Sequence, residues 1–261
     1  MFQTSILASG SKGNSILVTT EKTALLLDAG LSGIRILNAM DKIGFDPSKI
    51  NALLISHEHS DHIRGAGIVC RKLKIPLYIT ESTFSICKDI LGKLGHGVHN
   101  FVNGKNFQID NLIITPFNSS HDVVDGSNFV IRKIGDPIRK LAIATDLGYG
   151  SRLMINKIQN SSTIILESNH DLKMLLEGPY PWHLKQRIKS RHGHLSNEQA
   201  IGVLTQIIHP GIKNLCLAHL SEVNNKPDLV RSEIERFFKD IRLNVNLVIA
   251  TQDEPTKLLN V

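Results

Sequence analysis

Ala52-Leu53-Leu54-Ile55-Ser56-His57-Glu58-His59-Ser60-Asp61-His62 runs an apolar segment into three imidazoles and two carboxylates packed within six residues, 57–62. The apolar segment reads as a buried strand, and the polar cluster begins where that strand must end. Neutral imidazole and carboxylate are donors that divalent zinc and manganese accept. In a loop at a strand end, His57 and His59 face one way, and Asp61 and His62 turn toward a second point. Glu58 and Ser60 then point away, as structural or supporting groups. One tetrahedral ion does not easily use all four donors plus later ones, so the donor count favours two ions. Two ions roughly 3.5–4 Å apart suit phosphoester hydrolysis, because they share a hydroxide nucleophile and neutralise phosphate charge. The bland alternative, a histidine-rich surface loop, does not account for so dense a cluster at a strand end.

Outward from this stretch, short apolar runs predict strands at 4–8, 16–19, 24–27, 77–79, 112–116, 128–131, 141–144, 163–166, 214–218 and 246–249. Ile34, Leu37, Met40 and Ile43 recur at helical spacing, as do Ile201, Leu204, Ile207 and Ile208. Ser196 with Gln199 three residues later reads as a capping box opening the second of these helices. Residues 229–238 form another amphipathic candidate. The order suggests two sheets packed together with helices outside, although strand–helix alternation alone also fits a doubly wound sheet.

The chain has 261 residues, 41% hydrophobic and 21% charged, which suits a globular chain of one large α/β domain, residues 1–261. It has no apolar run of membrane-spanning length, and its first residues lack the basic and apolar regions of a signal peptide, so a cytoplasmic protein without a membrane partner is expected. Cys70, Cys87 and Cys216 are scattered among apolar neighbours and read as buried thiols. The formal net charge of +6 fits either an ordinary solvated surface or attraction to a polyanion. Aromatic residues make up only 5%, which argues against a broad base-stacking platform.

His-x-His-x-Asp-His after an apolar strand resembles the signature of the metallo-β-lactamase superfamily. The resemblance implies an α/β fold, a four-layer αβ/βα sandwich with the site at one edge of two sheets. It matches the later ligands to His121 in Asn118-Ser119-Ser120-His121, to Asp146 in Ile143-Ala144-Thr145-Asp146, and to His219 in Cys216-Leu217-Ala218-His219. By this resemblance His57, His59 and His121 hold one ion, Asp61, His62 and His219 hold the other, and Asp146 bridges them. Two divalent ions per chain, zinc or manganese, are thus the expected cofactors.

Ala8-Ser9-Gly10-Ser11-Lys12-Gly13-Asn14-Ser15, Glu167-Ser168-Asn169-His170-Asp171, Gly193-His194-Leu195-Ser196-Asn197 and His219-Leu220-Ser221 are similar to the bacterial YycJ/WalJ group. That resemblance implies 5′-to-3′ exonuclease action on double-stranded DNA, with a metal-activated hydroxide as nucleophile and DNA as partner. His194 resembles the extra histidine of ribonuclease Z relatives and is the expected aid to the leaving group, so Asp61 and His194 carry the chemistry in this reading. His170 and Asn14 are candidates for support around the ligands. The Ser9–Asn14 turn brings its amides to a phosphate or simply closes a tight hairpin. Lys185, Arg187, Lys189 and Arg191 precede His194 at alternate positions. A solvated basic face is one reading; in the other, Lys185, Arg187 and Arg191 contact the nucleic-acid backbone.

Two rivals stay open on the same scaffold. A small-molecule or cyclic-nucleotide phosphodiesterase would use the same donors. A thioester hydrolase is disfavoured, because such enzymes usually carry Pro-Gly-His-Thr where this chain has Asn118-Ser119-Ser120-His121. A non-catalytic, metal-stabilised binding module would normally have lost ligands, and none is missing here.

Overall fold

Leu25, Leu26 and Leu27 show how the chain builds its layers. Alternate side chains of a strand point to opposite faces. Leu25 and Leu27 enter one apolar layer, while Leu26 enters another. The same alternation sends Ala52 and Leu54 inward and Leu53 and Ile55 outward.

The computed structural model describes residues 1–261. In its first half β1 (Phe2–Ala8), β2 (Ser15–Thr20), β3 (Ala24–Leu27), α1 (Gly33–Lys42), β4 (Ala52–Leu54), α2 (Ser60–Ile63), α3 (Ala66–Leu73), β5 (Leu77–Thr80), α4 (Glu81–Leu91) and β6 (Val98–Phe101) follow one another. The second half runs β7 (Phe107–Ile109), β8 (Leu112–Asn118), β9 (Ser127–Lys133), β10 (Lys140–Ala144), α5 (Arg152–Ile158), β11 (Thr163–Glu167), α6 (Leu172–Glu177), α7 (Trp182–Lys189), α8 (Asn197–Ile207), β12 (Asn214–Ala218), α9 (Pro227–Asp240), β13 (Asn246–Ile249) and β14 (Leu259–Asn260). One seven-stranded sheet has the order β14-β1-β2-β3-β4-β5-β6, and the other β13-β12-β11-β10-β9-β8-β7.

Three apolar layers fill the spaces. The inner one joins the sheets through residues such as Phe2, Leu27, Leu54, Ile114, Phe129, Ile143 and Ile165. Outside the first sheet, Leu26 and Leu53 meet Ile36 and Met40 of α1 and Val69 of α3. Outside the second, Ala142 and Leu166 meet Ile158 of α5, Leu204 of α8 and Ile234 of α9. The architecture is therefore the four-layer αβ/βα sandwich of the metallo-β-lactamase fold, and the doubly wound alternative falls. Cys70, Cys87 and Cys216 are buried free thiols. No helix is long and apolar enough to cross a membrane.

Ser196 and Gln199 form the expected capping box, with reciprocal side-chain to backbone bonds. Three short strands, β6, β7 and β14, were not expected from the apolar pattern. The α1 stripe also differs in phase: Ile34 is 69% exposed, and the buried face is Ile36, Ala39 and Met40. Truncating Ile36 should cost about 2–5 kcal/mol, whereas truncating Ile34 should change stability by less than about 0.5 kcal/mol. Urea unfolding of Ile36→Ala and Ile34→Ala checks this phase, and equal losses would contradict it.

Candidate metal centre

The putting-together of the site follows from where the strands end. His57 and His59 leave the end of β4, His121 follows β8, Asp146 follows β10 and His219 follows β12. Asp61 and His62 lie in the single turn of α2, which follows its N-cap residue His59. Strands from both sheets thus deliver donors to one edge. A glycine lets the first loop close up: a Cβ on Gly30 would lie 1.6 Å from the Asp61 carbonyl oxygen. Asp28, Asp146 and His219 all adopt left-handed backbone, with φ of 58°, 56° and 57°. Such a conformation is uncommon for non-glycine residues, and its concentration here marks backbone bent to aim side chains.

The imidazoles form a tight group. Ring centroids of His57 and His62 are 4.0 Å apart, those of His59 and His121 5.0 Å, and those of His194 and His219 5.1 Å. Donor atoms of His57, His59 and His121 lie within 4.8 Å of one another, and so do those of Asp61, His62 and His219. Asp146 groups with His57 and His62, and also with His219. The structure therefore brings together all seven residues matched as ligands, in the two groups the sequence resemblance implies, with Asp146 between them.

Several observations fit these donors to divalent cations. His57 Nε2, His219 Nε2 and Asp146 Oδ2 are buried without a hydrogen-bond partner. An unsatisfied buried polar group costs about 1–3 kcal/mol, and a coordinated ion removes that cost. Asp146 Oδ2 is 3.4 Å from His62 Nε2, and Asp61 Oδ2 is 3.5 Å from it. His219 Nε2 is 3.5 Å from Asp146 Oδ1 and 3.6 Å from Asp61 Oδ2. These distances are long for hydrogen bonds. They match the spacing of about 3.3–3.6 Å between donors sharing a tetrahedral ion with bonds of about 2.0–2.2 Å.

The opposite ring nitrogens are held from outside. His62 Nδ1 is 2.8 Å from Asp28 Oδ2, His57 Nδ1 is 2.9 Å from Ser56 Oγ, and His121 Nδ1 is 2.9 Å from the Gly193 carbonyl. His219 Nδ1 is 3.2 Å from Glu167 Oε1. Such contacts fix the ring orientations and turn each Nε2 toward the other donors. Asn14 donates to the Gly10 carbonyl and lies 3.1 Å from His62 Nε2, and Ser9 Oγ accepts from the His219 amide. The Ser9–Asn14 turn thus braces His62 and His219.

Glu167 is the residue the sequence reading did not single out as a site residue. It is fully buried at the end of β11; Oε2 accepts from the amides of Leu147 and Leu195, and Oε1 lies 2.8 Å from His194 Nδ1. Burial would raise its pKa, but the adjoining His194 and His219 hold it below the usual carboxylate range. Asp28 was missed as well. Both are acidic residues closing an apolar strand, as in Leu25-Leu26-Leu27-Asp28, and that position was the available signal.

A cavity of about 350 Å³ opens beside the donors, lined among others by His59, Asp61, His121, Asp146, His194 and Arg187. Arg187 Nε donates to Asp122 Oδ2 at 2.6 Å. Lys185 requires correction as a phosphate contact. Lys185 is buried and its ammonium donates to the Leu176 carbonyl at 2.7 Å, because it falls on the packed face of α7. Arg191 lies over the Tyr149 ring at 4.4 Å, and neither residue lines the cavity. His170 is buried and pairs by its backbone with Ser196, and burial lowers its pKa to about 4.

Residues 8–115 match the family model of the metallo-beta-lactamase superfamily. Solved structures with this fold include the metallo-beta-lactamase fold protein YhfI from Bacillus subtilis, with a TM-score of 0.74 at 18% identity, covering 98% of this chain and 100% of that one. Zn(2+)-bound PqqB from Methylobacterium extorquens gives a TM-score of 0.74 at 16% identity, covering 99% of this chain and 100% of that one. Fold and donor set thus define a metallo-β-lactamase-superfamily protein. The chain is 39% identical over 231 residues to Exodeoxyribonuclease WalJ of Streptococcus pneumoniae serotype 2 (strain D39 / NCTC 7466), covering 87% of this chain and 85% of that protein. It is 34% identical over 257 residues to Exodeoxyribonuclease YycJ of Bacillus anthracis, covering 97% of this chain and 96% of that protein. The chain belongs to the WalJ/YycJ family of this superfamily.

The electrostatics of the metal-free protein are testable. Burial lowers the pKa of His62, but Asp146, Asp28 and Asp61 outweigh it and raise the value from 6.5 to about 9. The stability this pairing contributes is complete below pH 6.5 and is lost as pH rises through about 9. In chelator-treated protein, the melting-temperature advantage of wild type over Asp28→Asn should therefore shrink between pH 7 and pH 10, by a few degrees on the order of 2–4 °C per kcal/mol. An advantage independent of pH would contradict the charged pairing.

Proposed function

We propose that this chain is a metal-dependent phosphodiesterase that degrades DNA from an end, with the 5′-to-3′ polarity implied by its sequence resemblance. One observation carries the reading: two groups of metal donors, His194 paired with Glu167, and Arg187 surround one cavity. The 39% identity to an exodeoxyribonuclease supports the choice of substrate. His57, His59 and His121 would hold one zinc or manganese ion, Asp61, His62 and His219 a second, with Asp146 between. Residues 1–261 act as one catalytic domain in this reading, because both sheets supply donors. The proposed compartment is the cytoplasm, where DNA and the three unpaired thiols both belong.

When bound at these donors, divalent ions would supply Lewis-acid polarisation of a phosphate and a lowered pKa for a nearby water. Arg187 has its Nε fixed by Asp122, which leaves its terminal nitrogens to grip phosphate oxygens. Glu167 acts through His194: it accepts a hydrogen bond from Nδ1–H and so leaves Nε2 to hand a proton to the departing oxygen. Gly193 permits this placement, since a Cβ there would lie 2.1 Å from the Ile188 carbonyl oxygen.

Metal-loaded protein incubated with end-labelled single- and double-stranded DNA and RNA should yield stepwise mononucleotide release from the 5′ end of duplex DNA. Internal cuts, or turnover of small diesters with no attack on DNA, would overturn the reading. Asp61→Ala should lose metal and activity together; full metal content with wild-type turnover would remove it from the donor set. His194→Ala should keep its metal and slow single-turnover cleavage by about 10²–10⁴-fold. Glu167→Gln should give a smaller loss with an altered pH profile. Unchanged single-turnover rates in His194→Ala would exclude its role as the acid.

A further inference from the structure

The cavity has two walls of unlike chemistry. One is the donor wall around Asp146. The other comes from α7 and the residues before it: Tyr180, Leu184, Arg187 and Ile188. Leu184 and Ile188 are four residues apart on α7 and Arg187 three from Leu184, so they share one helix face. Tyr180 stands just ahead of the helix. The three apolar or aromatic side chains are half-buried, whereas Arg187 is exposed. Metal binding and proton transfer make no use of this apolar strip, and Arg187 alone suffices for phosphate.

An aromatic ring and two aliphatic side chains opposite a phosphodiester-cleaving site fit the flat face of a nucleobase. Every base has such a face, and stacking on an aromatic residue is tolerant of sequence. The cavity volume of about 350 Å³ lies at the small end of the range for small-molecule pockets, roughly 300–1,000 Å³. That volume has room for about one nucleotide beside the donors. A terminal nucleotide that leaves its stack sets its phosphate at the donors and its base against this strip.

We infer that Tyr180, Leu184 and Ile188 form the subsite for the base of the terminal nucleotide, splayed from the duplex, with Tyr180 stacking on its face and Arg187 holding the phosphate. This rests on the exonuclease reading and specifies the unit that enters the site. Within the strip only the Tyr180 hydroxyl is polar, so stacking there favours the presence of a base far more than its identity.

Duplexes ending in a normal nucleotide or in an abasic one, at the end the enzyme degrades, test the inference. The measured quantity is the ratio of kcat/KM for the two ends, so a general loss of activity or folding in a variant cancels. Wild type should favour the normal end by about tenfold or more, the size of one aromatic–base stack. Tyr180→Ala should bring the ratio close to one, and Tyr180→Phe should restore it. The same ratio should appear in Kd, read by fluorescence anisotropy on phosphorothioate-ended duplexes. A wild-type ratio near one, or a wild-type ratio kept by Tyr180→Ala, would overturn the subsite while leaving the nuclease reading standing. Failure to cleave either end would overturn the nuclease reading and the subsite with it.

Discussion

Buried negative charge at the edge of two sheets is the constraint around which this molecule is arranged. Asp28, Asp146 and Glu167 are all buried, and Asp61 lies beside them. Isolated carboxylates removed from water cost several kcal/mol each. The fold meets that cost with imidazoles, backbone amides and a geometry suited to divalent cations. Glu167 alone takes two amides and approaches two histidines. Asp28 accepts from the amide and hydroxyl of Ser56 and meets His62. The left-handed backbone at Asp28, Asp146 and His219 is the local strain accompanying this convergence.

The strands make the convergence feasible. β10, β11 and β12 run parallel, so Asp146, Glu167 and His219 emerge at the same end of one sheet. β4 brings His57 and His59 from the other sheet. Apolar layers on both faces of each sheet hold these strand ends in register, so donors separated by up to 162 positions, from His57 to His219, meet within a few ångströms. The α7 face completes the cavity from outside the sheets, which gives the site a charged side and an apolar side.

Much of this was legible in the chain itself, for reasons that vary by residue. His57, His59, Asp61 and His62 are close in sequence, so their shared chemistry needs no tertiary information. His121, Asp146 and His219 were legible only through resemblance, because a lone histidine or aspartate after a strand has many ordinary explanations. Glu167 and Asp28 looked like simple strand ends, and their burial could not be read locally. In β6 the central His99 and Asn100 are exposed, so no apolar run announced a strand. Lys185 was misplaced because spacing gives the rotation of residues about a helix but not which face packs inward. Ile34 was misplaced for the same reason.

The central claim is that these side chains converge on a pair of divalent cations. Crystals of zinc- or manganese-loaded protein, with anomalous-difference maps collected on both sides of the metal absorption edge, test it most directly. The account predicts two peaks, one among His57, His59 and His121 and one among Asp61, His62 and His219, with Asp146 reaching both. A map without peaks there, or with these side chains turned away from the metal, would contradict it.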